Sequence, residues 1–300
     1  MSRPLAASSA LPALALLFNA MVWGMTWIAF KALHQQGLHP LWSTALVYGG
    51  AFVVLVTLRP SGLRGLRQNP QLLLLAVAAG MTNVSFNWAV TIGDVVRVVL
   101  LFYLMPVWST GLAWWLLGER PTVAALVRLA LALAGVVLVL YKPGAMGGAP
   151  TGLADALALL GGFSFALTNA LLRRWRDTPQ TARATAMFIG GAGLSTLIAL
   201  LLGVALSPTT AVGAWLPWAA ALVVAFLCVN LALQYGAARL PAQVTALIML
   251  SEVVFASVSA VLLGAASPTA STWIGGALIM SAALFAVIRQ RTAPARAARD

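Results

Sequence analysis

Charge is what this chain of 300 residues has least of. Asp, Glu, Lys and Arg together make up 8% of it, and only six residues are acidic. A soluble domain carries about a quarter charged residues, so a chain that is 61% hydrophobic has too little polar surface to face water. The composition predicts an integral membrane protein. Cysteine is nearly absent, and the single Cys228 excludes an intramolecular disulfide. The two histidines, His34 and His39, share one polar gap with no acidic neighbour. There is no His-Glu-x-x-His, no paired Cys and no cluster of aspartates within an apolar run, so no metal or cofactor is expected and an intramembrane enzyme lacks its reacting groups. Rings of charge and carbonyl-filter motifs, the marks of a channel, are also missing.

The net charge of +12 does not point to nucleic acid. Its arginines lie mostly in short gaps between apolar runs, with no basic, aromatic-interleaved soluble segment to hold a polynucleotide. A membrane-crossing helix needs about 20 mostly apolar residues, and ten such runs occur, at roughly 11–31, 41–58, 71–92, 96–117, 122–140, 151–172, 180–203, 215–236, 241–263 and 269–288. The first keeps Trp23 and Trp27 and lacks a small-x-small cleavage site, so it reads as a retained span rather than a signal peptide. Proline marks the starts of nine runs (Pro12, Pro40, Pro70, Pro121, Pro150, Pro179, Pro217, Pro241 and Pro268), where its missing N–H does no harm. The fold class expected is all-α, with ten transmembrane helices and no room for a soluble domain.

Of the eighteen basic residues, only Lys31, Arg97 and Lys142 fall on one side of this topology. The positive-inside bias therefore places both termini in the cytoplasm. The halves, 1–145 and 146–300, read as repeats. Asn83 and Asn87-Trp88 find counterparts 147 positions later in Asn230 and Gln234-Tyr235, and Pro121-Thr122 in Pro268-Thr269. Five helices per half is an odd number, so the second half enters the membrane from the opposite side. Inverted repeats of this kind are a recurrent transporter plan, with the substrate near the midplane between the halves.

Trp23-Gly24 in the first run, Leu104-Met105-Pro106-Val107 in the fourth and Gly118-Glu119-Arg120-Pro121 after it resemble the ten-helix, EamA-type members of the drug/metabolite transporter superfamily. With Leu250-Ser-Glu-Val-Val-Phe255 the resemblance leans toward their aromatic amino acid exporters. It covers about residues 11–288. It implies an inner-membrane exporter of aromatic and related amino acids, with two inverted five-helix repeats around a central cavity. In the second half Gly264-Ala-Ala-Ser-Pro268 departs from the Glu-Arg junction of the first. A multidrug or other small-metabolite exporter of the same superfamily is the alternative. The partners expected are a small-molecule substrate and the lipid bilayer, with a monomer favoured.

The candidate binding residues follow from polar or aromatic character deep in apolar runs. Asn83, Asn87, Asn230 and Gln234 either hydrogen-bond a zwitterionic ligand or bond across helices. Trp88 and Tyr235 either offer ring faces to substrate or anchor the membrane interface. Glu252, the acid at greatest depth, either attracts a substrate ammonium, carries a proton, or sits protonated against a neighbour. Trp23, Trp27 and Lys31 form a stripe on the first helix, with Lys31 expected to snorkel outward. Trp23, Phe163 and Tyr103 are further candidates to line the cavity, as are Phe165, Thr168 and Asn169. Pro106 removes one helical hydrogen bond and is expected to kink the fourth helix as a hinge. The glycines at 190, 191, 193, 275 and 276 read as close helix contacts.

Overall fold

A computed structural model describes residues 10–105, 107, 108, 111, 112, 115, 123–140, 152–175, 177–206, 211–237, 248, 249 and 251–289. Its described elements are all helices: α1 (Ala10–Gln35), α2 (Pro40–Leu58), α3 (Ser61–Gln68), α4 (Leu72–Ile92), α5 (Val95–Phe102), α6 (Val123–Leu140), α7 (Gly152–Arg174), α8 (Gln180–Leu201), α9 (Val212–Ala237), α10 (Ser251–Leu262) and α11 (Ala270–Arg289). Six of them, α1, α2, α4, α7, α8 and α9, are long and apolar enough to cross a membrane. Their outward faces are those of a lipid-embedded protein, since Leu73, Val77, Leu201 and Trp273 are all more than half exposed.

The apolar runs and these helices coincide closely, with three differences. First, the connection after α2 is not a loop, because Ser61–Gln68 forms α3. Gly62 and Gly65 let it lie against Thr185 and Ala182 of α8, while Arg64 and Arg67 stay exposed. Eight residues are too few to span a bilayer, and an amphipathic helix of this kind suits its surface. Second, α9 begins at Val212, so Pro217 falls inside the helix rather than at its start. Third, the fourth run is not one helix. α5 ends at Phe102, and the bonds Leu104 N–H to Leu101 O (3.1 Å) and Val107 N–H to Leu104 O (2.9 Å) have tighter three-residue spacing. A proline at 106 cannot donate to the carbonyl four residues back, that of Phe102, so the break lies where the sequence demands it. Pro106 itself, and with it the hinge expectation, lies outside the described residues.

Between α4 and α5 the turn is as short as the sequence implies. Gly93 ends α4, and the Asp94 carboxylate accepts the Arg97 N–H at 2.9 Å to start α5. At the start of α2, His39 takes the same role, accepting the Leu41 N–H through Nδ1 at 3.2 Å.

Packing places α4 at the centre, against α7 on one side and α8 on the other, while α1 packs on α9 and α10. α2 lies against α8, α5 against α7, and α6 against α11. Small residues set the closest crossings. A Cβ on Gly190 would strike the Ala76 backbone, and one on Gly24 would come within 2.7 Å of the Glu252 carbonyl oxygen. The first crossing joins α4 to α8, and the second seats α10 on α1.

Candidate functional site

The helices converge on a cavity of about 200 Å³. Its floor and walls come from α1, α2, α4, α5, α7, α8, α9 and α10 together, so no single helix owns it. On one side the Trp23 ring stacks on Phe226, with centroids 4.8 Å apart and 21° between planes. Tyr48 meets the same Phe226 at 5.1 Å, tilted by 57°. On the other side Phe102 packs against Phe86 at 4.7 Å and Phe165 at 5.5 Å. All of these rings line the cavity, and offset or tilted ring pairs of this kind contribute about 0.5–1.5 kcal/mol each beyond burial.

Polar groups are few and specific. The Tyr103 hydroxyl donates to Glu252 Oε2 at 2.9 Å, joining the end of α5 to the second residue of α10. The Tyr48 hydroxyl donates to Asn83 Oδ1 at 2.7 Å, which leaves the Asn83 amide nitrogen for another partner. Asn19, one turn before Trp23 on α1, donates from Nδ2 to the Val229 carbonyl at 2.7 Å, while its Oδ1 is buried with no partner. Asn230, Thr82 and Thr168 complete the polar part of the wall. Among the described lining residues Glu252 is the one charged side chain.

Seven of the candidates thus meet: Trp23, Asn83, Tyr103, Phe165, Thr168, Asn230 and Glu252. Five others stand elsewhere, among them Asn169, which is exposed and donates to the Phe165 carbonyl of its own helix. Asn87 is 1% exposed and donates to Thr44 Oγ1 at 3.2 Å, which ties α4 to α2. Trp88 meets His39 edge-on at 5.1 Å, at the end of α4. Phe163 is 36% exposed and meets Trp108 edge-on at 5.6 Å. Its neighbour Phe165 takes the cavity face, because two helical steps turn a side chain through about 200°. Tyr235 is half-buried and not part of the lining. Gln234 lies on α9, but its side chain is outside the described residues. Lys31 does not simply reach outward: its Nζ lies 5.4 Å from the Trp27 ring centroid and 3.4 Å from the Gly93 carbonyl.

Asn19, Tyr48, Phe86, Phe102, Phe188 and Phe226 line the cavity although the sequence did not single them out. Asn19 had a usable signal, being an amide one turn from Trp23 on the same helical face. The phenylalanines had none, since a buried ring and a lipid-facing ring look alike in an apolar run.

One end of the bundle carries a second polar cluster. Arg97 grips Asp155 through both carboxylate oxygens, Nε to Oδ1 at 2.8 Å and Nη2 to Oδ2 at 2.7 Å, with each side chain 13% exposed. The pair bolts α5 to α7. Asp94, besides capping α5, accepts the Ser267 N–H at 3.3 Å. Between this cluster and the cavity, Trp27, Val90, Val95, Val99 and Ala256 pack into one apolar core. At the same end, burial and then the neighbouring charge of His34 hold the His39 pKa below its ordinary 6.5.

Comparisons with known proteins agree with this architecture. A family model described as the EamA-like transporter family matches the chain twice, over residues 10–141 and 152–288. An uncharacterized transporter of Pseudomonas aeruginosa is 29% identical over 136 residues, a stretch covering 42% of this chain and 45% of that one. The chain thus aligns with about half the length of that relative. A solved crystal structure at 22% identity shares the fold, with a TM-score of 0.60 over 94% of this chain and 98% of the other. Its apolar helices make it a multi-pass membrane protein, and the chain belongs to the EamA-like transporter family.

Proposed function

We propose that the protein exports small amphipathic metabolites bearing an aromatic ring, with aromatic amino acids the leading candidates, by alternating access across the bacterial inner membrane. The observation that carries this reading is the cavity: rings on both sides, amides and hydroxyls between them, and one carboxylate. Its volume of about 200 Å³ is below the roughly 300–1,000 Å³ typical of drug-sized pockets. That favours a metabolite over the bulkier cargo of a multidrug exporter.

The alternating mechanism rests on two inverted five-helix halves. The double family match supports them, and so does the pattern of contacts. Counting transmembrane positions, α1 and α7 correspond, as do α2 and α8, α4 and α9, α5 and α10, and α6 and α11. The contact of α1 with α9 then has its mirror in α7 with α4, and that of α1 with α10 in α7 with α5. α2 with α8 and α6 with α11 are each their own mirror. A two-fold axis in the membrane plane relates contacts in this way. With the arginine-rich ends in the cytoplasm, the Arg97–Asp155 cluster closes the outer end. Rocking of one half against the other breaks that closure and exposes the cavity outward.

Counterflow in proteoliposomes tests the reading, using labelled Trp, Phe, Thr and a cationic dye, with and without a pH gradient. Accumulation of labelled Trp or Phe against its unlabelled pool is expected. Dye transport without amino acid transport would assign the chain to the multidrug alternative.

A further inference from the structure

We infer that Glu252, held by Tyr103, makes this transporter read the ammonium group of its cargo and ignore the carboxylate, so that aromatic amines and amino acid amides pass at least as well as the zwitterions. The inference rests on the proposed aromatic cargo and deepens it by naming the group that is recognised.

The argument starts from charge. A cation entering a site cut off from water needs a counter-charge or several acceptors, and an anion needs a cation or several donors. The wall provides for the first case. Tyr103 occupies one oxygen of Glu252, at 2.9 Å, so Oε1 is left to a ligand. The unpaired Oδ1 of buried Asn19 supplies a second acceptor in the same wall. Gly24, one residue after Trp23, allows α10 to approach α1 closely at Glu252, and Asn19, Trp23 and Glu252 all line the one cavity. The Trp23 ring beside them adds the aromatic face that a desolvated ammonium favours. Stacking of Trp23 on Phe226 fixes that ring in place before the ligand arrives.

For a carboxylate the provision is poor. No Lys, Arg or His is among the described lining residues, and across the whole chain every Lys and Arg except Arg128 sits at or near the end of an apolar run. The Asn19 amide nitrogen is already committed to the Val229 carbonyl. What remains is neutral: the Asn83 and Asn230 amides, and hydroxyls that also serve other partners, since those of Thr82 and Thr168 donate to Ala78 and Ser164 of their own helices. A zwitterion therefore brings its ammonium to a prepared site and its carboxylate to an unprepared one. Tyr103 is a positioning residue: with its hydroxyl on Oε2, the carboxylate is aimed and the remaining oxygen is the reactive face.

The test is competition against labelled tryptophan counterflow in proteoliposomes of the full chain, using tryptamine, tryptophanamide and indole-3-propionate. Tryptamine and tryptophanamide are expected to compete at least as well as tryptophan, with indole-3-propionate at least tenfold weaker. Glu252→Gln is expected to lose tenfold or more for the amines, and Glu252→Asp to recover part of it. Tyr103→Phe should raise the KM for tryptamine severalfold with little change in the limiting rate. A thermal unfolding scan of each purified variant separates loss of recognition from loss of fold. Competition by indole-3-propionate equal to that of tryptamine overturns the inference, as does unchanged amine transport by folded Glu252→Gln. Tryptophan counterflow with no response to tryptamine overturns the inference and leaves the aromatic-cargo reading standing. If no indole compound is moved or competes while another solute undergoes counterflow, the aromatic-cargo reading falls and takes the inference with it.

Discussion

Asn83 and Asn87 are one helical turn apart on α4, yet only Asn83 lines the cavity. Asn83 takes the Tyr48 hydroxyl and faces the cavity, whereas Asn87 is sealed against Thr44. Amide spacing alone could not separate them, because an interhelical hydrogen bond and a ligand contact demand the same residue in the same setting. Replacement separates them in function. Asn83→Ala is expected to reduce transport about tenfold, the scale of one lost hydrogen bond in a dry site. Asn87→Ala is expected to leave transport near the parent value and to alter only the unfolding temperature. Radiolabelled uptake beside a thermal scan of both variants reads the difference. At the end of the bundle that carries the Arg97–Asp155 pair, His39 gives a residue-scale pH dependence. Its folded pKa lies below the ordinary value, so protons bind the unfolded chain first as pH falls. The stability of the neutral cap is thus complete above about pH 6.5 and declines as acidification proceeds toward the folded pKa. A protonated Nδ1 can no longer accept the Leu41 N–H, and a lost cap costs about 1 kcal/mol. His39→Asn, which keeps an acceptor without titrating, is expected to flatten the fall in melting temperature between pH 7 and 5.

Elements were the most legible level of this chain. Apolar runs of membrane length can be little other than spanning helices, and the proline positions fixed several of their ends. What the runs could not convey was structure of another length. α3 is too short to register as a span, and α5 stops at Phe102 although the apolar run continues. The helix resumes at Met105 after a turn at Tyr103 and Leu104, an interruption that hydrophobicity alone does not mark. Glycines also had a physical meaning that composition only hinted at. Gly190 meets the Ala76 backbone, while Gly193 faces open space, although both sit on α8. Gly190→Leu is expected to destabilise the α4–α8 crossing by at least the roughly 1–3 kcal/mol of an overpacked core, and Gly193→Ala to be neutral, measured as melting temperature in detergent. The Arg97–Asp155 pair acts between elements as well. Asp155→Asn removes one charge from a two-point contact worth about 1.5–3 kcal/mol, so outer-side reactivity of a cysteine placed at Asn83 should rise about tenfold. Exchanging the two residues, Arg97→Asp with Asp155→Arg, should reverse part of that gain.

At the scale of the molecule, the same helices that pack across the two halves also enclose the cavity. A site built from eight helices cannot be read from any one of them, which is why the sequence located the polar and aromatic candidates without sorting them. The repeat pairing of Asn83 with Asn230 supplied the useful hint, since both residues line the chamber. The pairing of Trp88 with Tyr235 did not, since neither ring reaches it. Transport by alternating access requires more than a chamber: each wall residue must become reachable from either side of the membrane in turn, and cargo must block the way. The most direct measurement uses a single cysteine at Asn83 in a Cys228→Ser background, reconstituted in oriented proteoliposomes and exposed to a membrane-impermeant thiol reagent from one side at a time. Labelling from both sides, slowed by tryptophan or tryptamine, is the result expected. Labelling from one side alone, at a rate indifferent to either compound, would contradict the assignment of this cavity as the transport route.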